Sequence, residues 1–107
     1  MRIATWNINS VRLRIDLVTK FLNDSDIDVL CLQETKTEDK FFPVTALAEA
    51  GWSHQAFRGE KSYNGVARIS RISLDKVYHK GWVGKTDCRY ICAQIEDGPS
   101  IHNFYVP

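Results

Sequence analysis

A chain of 107 residues, 44% of them hydrophobic, suffices for one globular domain and is too short for two. Lys plus Arg number 14 against 13 Asp plus Glu, far from the strongly basic balance of a dedicated nucleic-acid binder, although a basic rim around an acidic site would average out in that count. No run of 18 apolar residues occurs, so no membrane-spanning helix and no membrane partner are expected.

The first residues carry one basic side chain and an apolar stretch only from Ile3 to Trp6, too little for a secretory leader. Three cysteines, an odd count, suggest no disulfide framework and fit a reducing cytoplasm.

In chain order, residues 2–7 read as a first strand. Asn9 or Ser10 is placed to cap a helix from Val11 to Asn23, because their side-chain oxygens can accept free N–H groups at a helix start. The apolar set Leu13, Leu17, Val18, Phe21 and Leu22 recurs at helical spacing, and Asp16 with Lys20 makes an acid-first pair four apart. A polar turn over residues 23–26 precedes a continuous apolar run from Val29 to Leu32, the pattern of a strand covered on both faces. Strand, helix and strand within some thirty residues make a βαβ-like unit, with parallel strands expected.

Pro43 suits the first turn of a second helix through Val44, Leu47 and Ala48, with Gly51 as its stop. Strands are then expected over residues 52–57 and 66–70, with a charged, glycine-bearing loop from Arg58 to Gly65 between them. Residues 74–83 lean toward β, and residues 89–95 and 101–106 flank the Asp97-Gly98-Pro99 turn as a hairpin. The order is β-α-β-α and then mostly β, an α/β domain without repeats or linkers. A strand running straight into Pro107 with no cap or tail reads as a truncated domain.

The chemistry concentrates where the first two strands would end together. Parallel neighbours would bring Asn7 and Glu34 to the C-terminal edge of the sheet, where open α/β folds place their ligands, with Lys36 close by. A carboxylate beside a carboxamide can hold one Mg²⁺, an ion that fills the rest of its octahedron with water and phosphate oxygens. On pattern alone the commoner outcome is bland: Glu34 a solvated charge after a strand, Asn7 a turn residue.

Four stretches add to that pattern: residues 4–10 (Ala-Thr-Trp-Asn-Ile-Asn-Ser), 32–36 (Leu-Gln-Glu-Thr-Lys), 61–67 (Lys-Ser-Tyr-Asn-Gly-Val-Ala) and 103–107 (Asn-Phe-Tyr-Val-Pro). In order and spacing they resemble successive motifs of the exonuclease III type of apurinic/apyrimidinic endonucleases, within the endonuclease/exonuclease/phosphatase superfamily. The resemblance spans the whole chain, and the Tyr-Asn-Gly-Val-Ala block points to the DNA-repair branch.

The resemblance implies the N-terminal portion of a four-layer α/β sandwich of the DNase I-like kind, a mixed sheet with flanking helices. It also implies hydrolysis of DNA phosphodiesters at abasic sites and 3′ ends, dependent on Mg²⁺ or on Mn²⁺ in its place. By position, Glu34 resembles the metal ligand and Asn7 its neighbour at metal and phosphate. Tyr105 resembles the tyrosine that reaches the scissile phosphate, and Arg12, Lys61, Tyr63 and Arg89 resemble contacts to the backbone of double-stranded DNA. Lys36 would tune the Glu34 carboxylate.

One departure matters most. The family's water-activating residues lie further on, in an Asp-x-Asn motif and a late Asp-His pair, and His54, His79 and His102 match neither. The chain by itself is therefore expected to be inactive or nearly so. It should also expose apolar sheet surface, to be covered by the C-terminal portion or by self-association. Two rival readings stand beside the nuclease: a non-catalytic DNA-binding or interaction domain on the same scaffold, and a phosphatase of the superfamily.

Arg68 stands where relatives usually carry an aliphatic residue, and an unpaired guanidinium is costly to bury, so it is expected to be exposed or paired. The spacing of Cys88 and Cys92 matches no usual zinc knuckle, and Cys31 reads as a small buried apolar residue. Trp6 reads as core, and Trp52 and Trp82 as core or rim. Tyr63 reads either as a stacking residue or as an ordinary surface tyrosine. Lys36, Lys40, Arg58 and Lys61 form either a basic rim or scattered solvated charges.

Overall fold

A computed structural model describes residues 2–61, 63–79, 90–95 and 100–104. Strand β1 (Ile3–Asn7) leads through a turn over residues 11–14 into helix α1 (Ile15–Asp24) and returns as β2 (Val29–Gln33). A single 3₁₀ turn (Asp39–Phe41) and helix α2 (Val44–Glu49) follow, then β3 (His54–Arg58) and β4 (Val66–Ser70). Strands β5 (Leu74–His79), β6 (Tyr90–Ile95) and β7 (Ser100–Phe104) complete the described chain.

Two sheets result. The first has the order β1-β2-β4-β3, with β1 and β2 parallel and the other pairs antiparallel. The second is the antiparallel meander β5-β6-β7, whose β6 and β7 pair as the expected hairpin; the Asp97-Gly98-Pro99 turn lies outside the described residues.

Alternation along the strands divides the first sheet into two faces. Leu30, Leu32, Ala67 and Ile69 face the helices and join Val18, Leu22, Leu47, Phe42 and Trp52 in the main core. Val29 and Cys31 face the second sheet and meet Ile72 and Ile101 there. Hence β2 reads as unbroken apolar sequence: it is buried on both sides. Helices, mixed sheet and second sheet form three successive layers. The second sheet reaches over β2, β3 and β4, whereas Ile3, Thr5 and Asn7 of β1 are exposed.

Several expectations need correction. Helix α1 starts at Ile15, not Val11, because the preceding segment is committed elsewhere. Ser10 N and Val11 N donate to Glu34 O (2.8 Å) and Thr35 O (3.0 Å), and the Val11 side chain fills the core from a turn. Ser10 Oγ accepts from Leu13 N at 3.4 Å within that turn, and the helix itself has no side-chain cap.

The buried stripe is therefore Val11, Val18 and Leu22, with Ile15 and Phe21 partly buried at its margin. Leu13 sits in the turn, 76% exposed, and Leu17 lies about 100° around the helix from Val18, 55% exposed. Lys20 pairs with Asp24 at 3.0 Å, not with Asp16.

Helix α2 ends as expected at Gly51, whose φ of +95° is the left-handed conformation of a helix stop. Pro43 is its N-cap, one residue earlier than expected, and of Val44, Leu47 and Ala48 only Leu47 is buried. Trp52 is core, 2% exposed.

Arg68 is the sharpest departure. It occupies the inter-sheet face of β4, opposite Cys31 on one side and Ala56 on the other, at 0% exposure. None of its Nε, Nη1 and Nη2 atoms has a hydrogen-bond partner among the described residues.

Candidate metal and phosphate site

The parallel pairing of β1 and β2 places Asn7 opposite Gln33, one residue before Glu34, so both candidate ligands stand at the same sheet edge. The backbone around them is tightly constrained. Ile8 N donates to Gln33 O (3.0 Å), extending the ladder one step past the strand. On the far side, Thr35 N and Lys36 N donate to Gly65 O (3.2 Å) and Asn64 O (2.9 Å). Three loops, after β1, after β2 and before β4, are thus joined largely through backbone atoms.

This joining carries backbone strain. Asn9, Ser10, Glu34, Lys36 and Asn64 all have positive φ, from 48° to 87°, and all lie in these three loops. Left-handed non-glycine residues cost about 1–3 kcal/mol each and tend to gather at functional sites. Gly65, at φ +96°, is required by contact as well as by conformation: a Cβ there would fall 2.0 Å from Thr35 Oγ1. Thr35 and Thr37, 1% and 4% exposed, fill the interior of the loop cluster.

Side chains complete the site. Glu34 is half-buried and Asn7 exposed. Lys36 Nζ donates to Asn9 Oδ1 at 2.6 Å, so its ammonium is held against the first loop. Beside it opens a polar cleft of about 210 Å³ lined by Arg12, Lys36, Thr37, Glu38, Phe41 and Lys61. Three of those six residues are cations, and the one carboxylate, Glu38, pairs with Lys40 at 3.6 Å. The field in the cleft is positive, next to the Glu34 carboxylate.

Arg12, Lys36 and Lys61 are therefore brought together. Tyr63 is 71% exposed in the loop that carries Lys61 and does not line the cleft. Arg89 and Tyr105 lie outside the described residues.

The donor set suits a hard cation: one carboxylate and one carboxamide, both oxygen donors. Among the described residues no three His, Cys, Asp or Glu side chains come together, so most of such an ion's ligands would be water or phosphate oxygens, a habit of Mg²⁺ more than of Zn²⁺.

Sequence reasoning missed three participants. Phe41 lines the cleft, with the Arg12 guanidinium carbon 5.1 Å from its ring centroid. Asn9 holds Lys36. Asn103, 3% exposed, ties the second sheet to the site-bearing sheet: Nδ2 donates to Leu32 O (2.9 Å) and Ala67 O (2.8 Å), and Oδ1 accepts from Gln33 Nε2 (2.8 Å). Gln33 also donates to Thr5 Oγ1 at 2.8 Å, so the network spans four strands, β1, β2, β4 and β7. A buried-polar signal for Asn103 existed in the sequence, an amide amid a β-rich run, but it named no partner.

Comparison with known proteins agrees in fold and in sequence. The Endonuclease/Exonuclease/phosphatase family model matches residues 4–106. An AP endonuclease structure from Archaeoglobus fulgidus superposes with a TM-score of 0.91 at 38% identity, covering 100% of this chain and 42% of that one. A 3′ phosphatase from Neisseria, bound to product DNA hairpin, gives a TM-score of 0.91 at 37% identity over 98% of this chain and 41% of its own.

Among curated relatives, the Xenopus laevis DNA-(apurinic or apyrimidinic site) endonuclease 2 is 37% identical over 75 residues, 68% of this chain and 14% of its own length. Exodeoxyribonuclease III of Haemophilus influenzae is 30% identical over 82 residues, 77% of this chain and 30% of its own. The chain thus spans less than a third of these curated relatives and about two fifths of the solved neighbours. It belongs to the endonuclease/exonuclease/phosphatase family, in the branch of the exonuclease III type of AP endonucleases.

Proposed function

We propose that this chain carries the metal- and phosphate-binding half of a Mg²⁺-dependent DNA-repair nuclease that hydrolyses phosphodiesters at abasic sites and 3′ ends. The observation that carries the reading is the convergence at one sheet edge of Asn7 and Glu34 with the cationic cleft of Arg12, Lys36 and Lys61. Relatives named as AP endonucleases and exodeoxyribonucleases support the substrate class.

In this reading Glu34 and Asn7 would hold the ion. A bound Mg²⁺ would supply stabilisation of the charge that develops on the phosphate. Arg12 and Lys61 neutralise flanking phosphates, with Tyr63 and Arg89 as further backbone contacts, and so position the duplex without reading its sequence. Lys36, fixed by Asn9, would keep a positive charge beside the Glu34 loop. Tyr105 donates to the scissile phosphate as charge grows on it.

The site as it stands has a single carboxylate and no general base assigned to it. General-base help contributes about 10²–10⁴ in rate, so the chain alone binds DNA and turns it over poorly. The exposed face of β1, with the apolar hollow formed by Thr5, Trp6 and Phe21, is where a complementary portion or a second copy would pack. A second reading, a DNA-binding domain without turnover, is favoured by that same one-carboxylate donor set.

The test is cleavage of a duplex with a single abasic site in Mg²⁺, set beside a full-length relative. Turnover at least a hundredfold below the relative, with binding that weakens as salt rises, supports the first reading. Turnover near the relative's overturns the claim that the chain is half a site. Absence of any DNA binding at low salt overturns the assignment of the cleft.

A further inference from the structure

Phe41 is a large hydrophobic side chain 49% exposed at the mouth of the cleft, in a position no core requirement explains. Its backbone is firmly held. Asp39 Oδ1 accepts from Gly59 N at 2.7 Å, Phe41 N and Phe42 N donate to Glu38 O (3.0 Å) and Asp39 O (3.1 Å), and the next ring, Phe42, stacks on Phe57 at 4.1 Å with 8° between planes. The exposed ring is thus mounted on a rigid turn.

Two cations approach that ring: Arg12 through its guanidinium carbon and Lys40 through Nζ, each 5.1 Å from the centroid. They are not equivalent. Lys40 is paired with Glu38, whereas Arg12 makes no hydrogen bond or ion pair among the described residues. Arg12 is also held at its backbone, since its neighbour Val11 is fully buried and bonded to Thr35 O. An aromatic face steadies a guanidinium without using any of its five N–H donors. An acidic partner would hold it as firmly but would occupy the donors a phosphate needs.

We infer that Phe41 is a positioning residue: its ring holds the Arg12 guanidinium in the cleft with all its donors available to a phosphate. The geometry stands by itself; its consequence for DNA rests on the phosphate reading of the cleft. Binding then costs less side-chain entropy, since the rotamer is set before the ligand arrives.

The experiment is a double-mutant cycle on affinity for a fluorescent DNA duplex at low salt, using the full chain and its Phe41→Ala, Arg12→Ala and doubly substituted forms. Phe41→Ala should weaken binding about two- to fivefold, the range of an exposed cation–π contact. It should do nothing further once Arg12 is gone, and Phe41→Tyr and Phe41→Trp should restore wild-type affinity. Equal weakening with and without Arg12 would mean that the ring touches DNA itself and would overturn the inference. So would a loss with Arg12→Ala but none with Phe41→Ala.

If Arg12→Ala leaves affinity unchanged, or no binding is seen, the phosphate reading fails and the positioning is read without DNA. The Arg12 δ-methylene and ε-NH protons of the free protein should show an upfield ring-current shift, lost in Phe41→Ala and kept in Phe41→Tyr. Unshifted Arg12 protons in the wild-type chain overturn the inference outright.

Discussion

Replacing Arg68 with leucine should make this protein more stable, although the substitution removes a positive charge. Arg68 lies between the sheets at 0% exposure, and its three guanidinium nitrogens have no hydrogen-bond partner among the described residues. Arginine cannot relieve the burial by losing its proton. Withdrawing an ion of this size from water costs several kcal/mol after relaxation, and here no Coulombic partner among the described residues offsets it. Its cross-strand neighbours, Cys31 and Ala56, are small, so a leucine has room on the same face. The gain should be at least about 2 kcal/mol, within the range in which apolar groups outperform buried charges. For a domain of this size that corresponds to a rise in melting temperature of about 8–16 °C. Urea and thermal unfolding followed by far-UV circular dichroism measure it, with Arg68→Met as a neutral variant of similar length. An Arg68→Leu protein that melts at or below the wild-type temperature, with an unchanged urea m-value, would refute the reasoning and mean that the guanidinium has an anionic partner.

Asn103→Ala should lower stability by about 1–3 kcal/mol, the cost of leaving buried polar groups unmatched, because Leu32 O, Ala67 O and Gln33 Nε2 lose a partner together; a urea midpoint equal to wild type would show that the sheets are held otherwise. Gly65→Ala should cost clearly more than Gly51→Ala. Both sites have φ near +95° and share the conformational strain of about 1–3 kcal/mol, but only at Gly65 does the added Cβ meet an atom, Thr35 Oγ1 at 2.0 Å. Equal losses in a pair of chemical denaturation curves would remove the steric argument. Asp28 accepts from Arg2 N (2.9 Å) and Arg71 Nη2 (2.7 Å), and these bonds hold its carboxyl below the ordinary 3.8. Because the folded value is the lower one, its contribution is present in full above the ordinary value and lost as pH falls through the folded value. Asp28→Asn should therefore flatten the acid limb of the stability profile and leave its shape near neutrality unchanged.

The sequence was most informative where one periodicity and one burial requirement agreed. Val29 to Leu32 is apolar at every position because both faces of β2 are covered, and the parallel pairing with β1 follows from the intervening helix. It was least informative where backbone bonds between loops outweighed local pattern. The stretch after Asn7 has a serviceable cap and a helical spacing of leucines, yet its donors go to Glu34 O and Thr35 O, so the helix starts four residues late and Leu13 faces water. Arg68 failed for a different reason. An expectation that a charge avoids burial is an energetic preference, and the strand on which it sits is fixed by Val66, Ala67 and Ile69 whatever stands between them.

The same division runs through the candidate site. The strand ends that bring Asn7 and Glu34 together were legible, because alternation and a βαβ unit determine where strands stop. The conformation of Glu34 was not. Its positive φ belongs to a residue type that rarely adopts one, and it follows from bonds to loops some 25 residues before and 30 after it. Phe41 and Arg12 are likewise separated by 28 intervening residues, and neither carries a local signal that it needs the other. What these loops share is a candidate metal ligand, Glu34, held at the edge of a positive cleft largely by backbone contacts that cost strain. Such an arrangement leaves the Arg12 guanidinium donors available at the surface, which the proposed uptake of a phosphate chain would use. Main-chain atoms do most of the joining, and the side chains that contribute, Lys36 with Asn9 and Asp39 with Gly59 N, leave Arg12 uncommitted.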